Sequence, residues 1–275
     1  MGVLLALGAA VAYGLSDFVG GLASRRTSAW SVAFVAALGS LLGAVALALA
    51  VPGEATGTDL AWGALAGIGS GTGGAFLYRG FAAGRMGVVA PVSAVGAALL
   101  PVVVAVATGE RPEVLVWVGI AAAVPGIWLV SREPDSDGGL ADGLVDGVLA
   151  GAGFGLLFAA MGQVPEEAGW WPTALAQAVA LVAVALTATV LRADWLPRHR
   201  SDLWGLVAGV LATAAVVCFL LATQTGLLTI AAVVTSLYPA VTVLLAATVL
   251  RERIHGAQGL GLACCGIAVA LVAAG

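Results

Sequence analysis

Lysine is missing altogether: the eleven basic side chains are all arginines, and two histidines are the only other nitrogen bases. Without lysine the G-x-x-x-x-G-K-[ST] phosphate loop cannot be completed, and nothing in the chain resembles a nucleotide site. Charge of either sign is scarce at 9% of residues, against about 25% in a soluble domain. The three cysteines, Cys218, Cys264 and Cys265, lie in apolar runs with no His or acid at ligand spacing, so they form no metal site and read as small apolar fillers. His199 and His255 sit among arginines rather than in apolar runs. No HExxH pattern and no pair of buried glutamates appears, and a serine nucleophile would lack a buried base, which argues against an intramembrane enzyme. Strand-like alternation over about ten residues is also missing, which excludes a membrane β-barrel. No cofactor motif and no nucleic-acid partner is expected.

What fills the chain is apolar. Hydrophobic residues make up 61% of the sequence and the mean hydropathy is +1.08. A bilayer core of ~30 Å needs roughly 20 apolar residues per helix. Runs of that length fall at 3–23, 29–51, 60–80, 87–108, 113–131, 143–163, 170–191, 203–224, 227–250 and 256–274. The expectation is an all-α polytopic membrane protein with ten transmembrane helices and no room for a soluble domain. The first run has no basic leader and carries an acid, so it is read as a mature helix rather than a signal peptide. Eight tryptophans, such as Trp62, Trp128 and Trp204, mostly mark span ends, as an interfacial belt does.

The halves of the chain echo one another. Residues 83–101 and 222–239 align with Gly87 on Gly226 and Pro101 on Pro239, offsets of 139 and 138. Both then run to a charged pair or triplet, Gly109-Glu110-Arg111 and Arg251-Glu252-Arg253. The division is therefore a five-helix unit over 1–132, a linker over 133–142 and a second five-helix unit over 143–275. Arginine placement supplies direction. Connections after odd-numbered helices hold Arg25, Arg26, Arg79, Arg85, Arg132, Arg192, Arg198, Arg200, Arg251 and Arg253, whereas the even ones hold only Arg111. Positive charge is retained in the cytoplasm, which places both termini outside. Five helices per unit then make the two units inverted-topology repeats, an arrangement typical of secondary transporters with a site near the midplane. The all-arginine base set, with abundant Ala, Gly and Val, suits a GC-rich bacterial gene and a bacterial cytoplasmic membrane.

These features resemble the EamA-domain family of the drug/metabolite transporter superfamily. The residues that carry the likeness are Tyr13-Gly14-Leu15-Ser16-Asp17-Phe18, Gly87…Pro101…Gly109-Glu110-Arg111, and Gly226…Ser236-Leu237-Tyr238-Pro239…Glu252-Arg253. The resemblance implies a ten-helix bundle working by alternating access, with a cavity lined mainly by helices 1, 3, 4, 6, 8 and 9 and with helices 5 and 10 peripheral. It also implies a small metabolite substrate, often exported. Relatives are expected to keep their termini in the cytoplasm, and the arginines of this chain argue the reverse.

Asp17 is the acid that no loop or span end accounts for. An ionised Asp near a helix centre costs ~2.5–3.5 kcal/mol on insertion scales, so it should face the bundle interior or water. Tyr13 lies one turn earlier on the same face, beside a smooth strip of Gly8, Ala12, Ser16 and Gly20. Asp17 either binds a cationic group or the coupling proton, or pairs structurally with an arginine such as Arg79. Further polar candidates for the site are Tyr78, Arg79, Gln163, Gln177, Gln224, Thr235, Ser236 and Tyr238; each reads more readily as a helix-packing or span-end residue than as a ligand contact, and Tyr238 beside Pro239 is the best of them. Pro91, Pro101, Pro125 and Pro239 lie within spans; the aligned Pro101 and Pro239 are candidate gating bends, with static kinks as the alternative. Glu110 and Glu252 neighbour arginines at helix ends, so local ion pairing is expected of them. The glycine run Gly147, Gly151, Gly155 forms a packing face. The function expected is secondary active transport of an amino-acid-, nucleoside- or drug-like metabolite, in the export direction and proton-coupled through Asp17. A lipid-linked phosphate carrier on the same architecture is the alternative. Partners are the bilayer, the small molecule, protons and, through small-residue faces on helices 5 and 10, a second copy.

Overall fold

A computed structural model describes residues 1–82, 86–130, 140–249 and 256–274, and these are helical throughout apart from short connections. The helices are α1 (Gly2–Ser24), α2 (Ala29–Ala50), α3 (Gly57–Ala82), α4 (Met86–Ala107), α5 (Val114–Val130), α6 (Leu140–Met161), α7 (Trp171–Val190), α8 (Trp204–Gln224), α9 (Leu228–Thr235), α10 (Tyr238–Val249) and α11 (Gly256–Ala274). Among the described residues, four segments are long and apolar enough to cross a bilayer: Gly2–Ser24, Ala29–Ala50, Trp171–Val190 and Arg200–Gln224. Shorter apolar helices accompany them, among them Val114–Leu129 and Leu228–Thr242. An all-helical answer follows from the solvent, because hydrocarbon offers backbone N–H and C=O groups no outside partner.

Local chemistry sets the helix ends. At the start of α3, Thr56 and Asp59 cap reciprocally: Asp59 Oδ2 accepts from the Thr56 backbone N–H at 2.8 Å, and Thr56 Oγ1 accepts from the Asp59 N–H at 3.3 Å. Val51-Pro52-Gly53 follows α2 with backbone that cannot continue a helix. Asp202, in a short 3-10 turn (Arg200–Leu203) ahead of α8, accepts from Arg198 N, His199 N and Thr27 Oγ1, all within 2.8 Å. Together with a ring contact of 4.8 Å between Phe34 and Trp195, it ties the α7–α8 connection to the α1–α2 connection.

One predicted span is two helices. Between α9 and α10 the ladder stops at Ser236-Leu237, because Pro239 lacks an N–H and its ring crowds the carbonyl four residues back, on Thr235. Pro101, its counterpart in the aligned halves, sits inside the continuous α4. Glu110 departs from the expected ion pairing with its neighbour Arg111. Its carboxylate accepts from the backbone N–H groups of Leu228 (2.7 Å) and Thr229 (3.1 Å), at the positive end of α9. Arg85, Arg132, Arg251, Glu252, Arg253, His255 and the linker at 133–139 lie outside the described residues.

Packing pairs repeat with the halves exchanged. α1 lies on α8 as α6 lies on α3; α2 lies beside α8 as α7 lies beside α3; α9 and α10 lie along α1 as α4 lies along α6. Directions repeat too. On α1 and α8 the contacts run Gly2 to Ala222, Gly8 to Cys218 and Ser16 to Ala208, so the helices are antiparallel. On α3 and α6, Gly69 meets Leu157 while Gly73 meets Phe154, also antiparallel. Parallel pairs match likewise: Gly205 with Val35 and Thr213 with Ser40 on one side, Gly63 with Pro172 and Gly71 with Ala180 on the other. Gly147, Gly151 and Gly155 face Val92, Ser93 and Gly96, so that run packs α6 onto α4. α5 and α11 pack on each other.

Candidate functional site

α1 brings Tyr13, Ser16 and Asp17 to one side, and each is buried. Ser16 is not free for a ligand, since its hydroxyl donates to Ala208 O at 2.8 Å across the α1–α8 contact. One turn beyond Asp17, Gly20 gives up its side-chain space to the ring tip of Tyr78 from α3; a Cβ there would overlap that ring. The absent side chain is therefore what lets Tyr78 reach the Asp17 face of α1.

Asp17, Tyr13, Tyr78 and Gln177 meet around a cavity of about 70 Å³. Its other walls are small or apolar: Ala33, Ala36, Ala37 and Ser40 of α2, Ser70, Gly71 and Gly74 of α3, Phe154 and Leu157 of α6, and Ala212 and Val216 of α8. The volume is well under the ~300–1,000 Å³ of ordinary small-molecule sites. The contributing helices are α1, α2, α3, α6, α7 and α8. This differs from the set the resemblance implied, with α2 and α7 in place of the fourth and ninth spans. The reason is packing. Tyr13 stands between the cavity and α10, its ring 6.3 Å from Tyr238 and 5.7 Å, edge-on, from Phe158. Behind it, the Tyr238 hydroxyl is 3.1 Å from Ser93 Oγ of α4 and closes that side. Alanines and Ser40 on α2, with Ala180 on α7, leave space where larger side chains would have filled it.

The polar groups are left open. Asp17, only 7% exposed, forms no hydrogen bond or ion pair with any described residue, although the phenols of Tyr13, Tyr78 and Tyr238 lie within electrostatic reach. The buried Tyr13 hydroxyl has no hydrogen-bond partner among the described residues, and none is formed there by the Gln177 amide. An acid, a phenol and an amide are thus left without a hydrogen-bond partner among the described residues around one cavity, whereas buried polar groups in native proteins are nearly always bonded.

Arg79 takes no part. Its guanidinium binds Asp146 of α6, with Nε donating to Oδ1 at 2.8 Å, and stacks on Phe76 with 4.7 Å from Cζ to the ring centre. The structural pairing considered for Asp17 is thus taken by Asp146, a residue the sequence reading did not single out. Its signal was present: Arg79 and Asp146 flank connections on the same, arginine-bearing side. Gln224 ends α8 and does not line the cavity, and neither does Ser236, which is fully buried with an unpartnered hydroxyl. Pro101 is in α4 and Pro239 at the start of α10, both outside the cavity wall.

A helical bundle with an open acid in an inner cavity is the construction of a membrane carrier rather than of a soluble binding domain. The sequence profile of the EamA-like transporter family matches residues 1–132 and again residues 142–274. The chain belongs to that family, and is a membrane transporter of the drug/metabolite type. A solved crystal structure, titled only as a protein, is similar in fold at a TM-score of 0.68 and 15% identity, with 96% of this chain and 98% of the other covered. No curated protein matches the chain.

Proposed function

We propose that the protein is a secondary active transporter that moves a small metabolite across a bacterial cytoplasmic membrane by alternating access, in the export direction. Residues 1–132 and 143–275, joined by the linker at 133–142, act as two inverted five-helix repeats. The exchange of packing partners between halves supports this, as does the antiparallel run of α1 on α8, since alternation along the second unit then sets α6 opposite to α1. Asp17, Tyr13, Tyr78 and Gln177 form the binding set, and Asp17 couples transport to protons. The break before Pro239 is the hinge, with Pro101 flexing α4 at the aligned position. A carrier for lipid-linked phosphates is not favoured, because an anion would face Asp17 across the cavity.

The observation that carries the reading is the unpartnered Asp17 carboxylate in the cavity. Proteoliposomes under an imposed pH gradient test it: a panel of labelled amines, amino acids and nucleosides should include one whose accumulation needs the gradient and collapses with a protonophore. If no compound moves faster than in protein-free vesicles, the reading is wrong. Orientation is tested separately, with both termini proposed outside. A periplasm-active reporter fused after Gly275 should be active, and silence there, with an active cytoplasmic reporter at the same point, reverses the orientation.

A further inference from the structure

We propose that the cavity selects an organic cation, seating an ammonium group against the Asp17 carboxylate and the rings of Tyr13 and Tyr78, and rejects zwitterions and anions. This rests on the carrier reading and narrows it to one class of substrate.

Charge balance is the first argument. Asp17 lines the cavity without a partner among the described residues, and the described lining includes no arginine or histidine; the chain has no lysine. A buried carboxylate that lacks a counter-charge is costly, and a bound cation removes that cost while forming a charge-assisted contact. An amino acid would satisfy Asp17 through its ammonium but would bring a carboxylate into the same small space. Its possible donors are the Tyr13 hydroxyl and the Gln177 amide, both neutral, so one buried charge would stay uncompensated. Carriers can receive a substrate carboxylate at the positive N-terminus of a broken helix. That route is shut in this conformation: α10 begins at Tyr238, behind the Tyr13 ring, and contributes nothing to the described cavity wall.

The second argument is the aromatic lining. Tyr13, Tyr78 and Phe154 line the cavity beside Asp17, and ring faces attract ammonium groups by ~0.5–2 kcal/mol, more when water is excluded. A third is placement of acids at the bundle end that holds one arginine, Arg111, of the eleven. There the α2–α3 connection meets the turn Glu166–Ala168, Glu54 N donating to Glu167 O at 2.8 Å, which gathers Glu54, Glu166 and Glu167. A negative rim of this kind raises the local concentration of cations and lowers that of anions.

The test uses two matched sets of three compounds: choline, glycine betaine and 3,3-dimethylbutan-1-ol; and phenethylamine, phenylalanine and 3-phenylpropan-1-ol. Each set keeps a similar shape while passing from cation to zwitterion to neutral. Binding to the purified full chain is measured by calorimetry, with Asp17→Asn in parallel. In at least one set the cation should bind at least tenfold more tightly than its two companions, and Asp17→Asn should abolish that preference. The inference is overturned if a zwitterion or alcohol binds as well as its cation in both sets, if no compound of either set binds, or if the preference survives Asp17→Asn. Failure here is distinct from failure of the carrier reading: gradient-driven flux of an amino acid or nucleoside in the vesicles would keep the carrier and discard the cation.

Discussion

Asp17→Asn should reduce gradient-driven transport to background, at least about 100-fold, without lowering the thermal stability of the purified protein. The two side chains are nearly the same size, so the fit of residue 17 in the cavity wall is kept. Because the carboxylate accepts no hydrogen bond from any described residue, the substitution breaks none. What disappears is one negative charge in the cavity. A charged Asp in a span costs about 2.5–3.5 kcal/mol, so its removal should leave Tm equal or higher. A 100-fold loss of rate corresponds to about 2.7 kcal/mol, which is within the range a buried charge pair with the transported ion supplies. Activity and stability therefore move apart, as they do where a strained group is kept for function. Normal transport by this variant would remove Asp17 from the mechanism. A lowered Tm together with lost transport would make it a structural acid instead. Asp17→Glu separates charge from reach: it keeps the negative charge but extends it by one methylene, and should retain a measurable fraction of the wild-type rate.

The sequence made the helices legible because hydrocarbon allows few alternatives to a long apolar helix, and it pointed to Asp17 because an acid in such a helix needs either a ligand or a structural partner such as Arg79, a choice that only the Arg79–Asp146 pair in the structure decides. Tyr13 followed from helical spacing alone. The duplication was visible in Gly87/Gly226 and Pro101/Pro239, and the same comparison suggested bends at both prolines. Only Pro239 interrupts its helix, and spacing cannot show which of two aligned prolines will do so. Tyr78 and Gln177 were candidates without a reason to prefer them over Gln224 or Ser236. Their convergence depends on Gly20 yielding room to Tyr78 and on alanines of α2 and α7 leaving space, which are tertiary facts with no local signal. Asp146 was overlooked because a carboxylate near a span end looks solvated. Burying it takes Arg79 from a helix 67 residues away in sequence. The wall formed by α2 and α7, in place of the fourth and ninth spans, was likewise invisible: it depends on the Tyr238–Ser93 contact closing one side.

Gly153→Leu should leave little folded protein, and Gly153→Ala should fold with a Tm several degrees lower and with reduced transport. Gly153 lies where α6 crosses α3, between the halves of the chain. A Cβ built on it sits 2.6 Å from Gly73 N and 2.7 Å from both Gly69 O and Gly73 Cα. All three are backbone atoms, so no side chain can rotate away and the helices themselves must part by several tenths of an ångström. Overpacking of this kind costs about 1–3 kcal/mol for one methyl, and more for leucine. In lipid the loss is not recovered by burying the new apolar surface, because hydrocarbon solvates a leucine as well as a neighbouring helix does. The next residue, Phe154, and Leu157 one turn on from Gly153 line the cavity, so widening the crossing also moves the wall opposite Asp17. Gly266→Ala in α11 is the control. Nothing stands within 4 Å of its Cβ position, and alanine is the better helix former by up to about 1 kcal/mol, so Tm and transport should hold or improve slightly. If Gly153→Ala proved as harmless as Gly266→Ala, the crossing would not hold the halves together, and the cavity geometry built upon it would have to be abandoned.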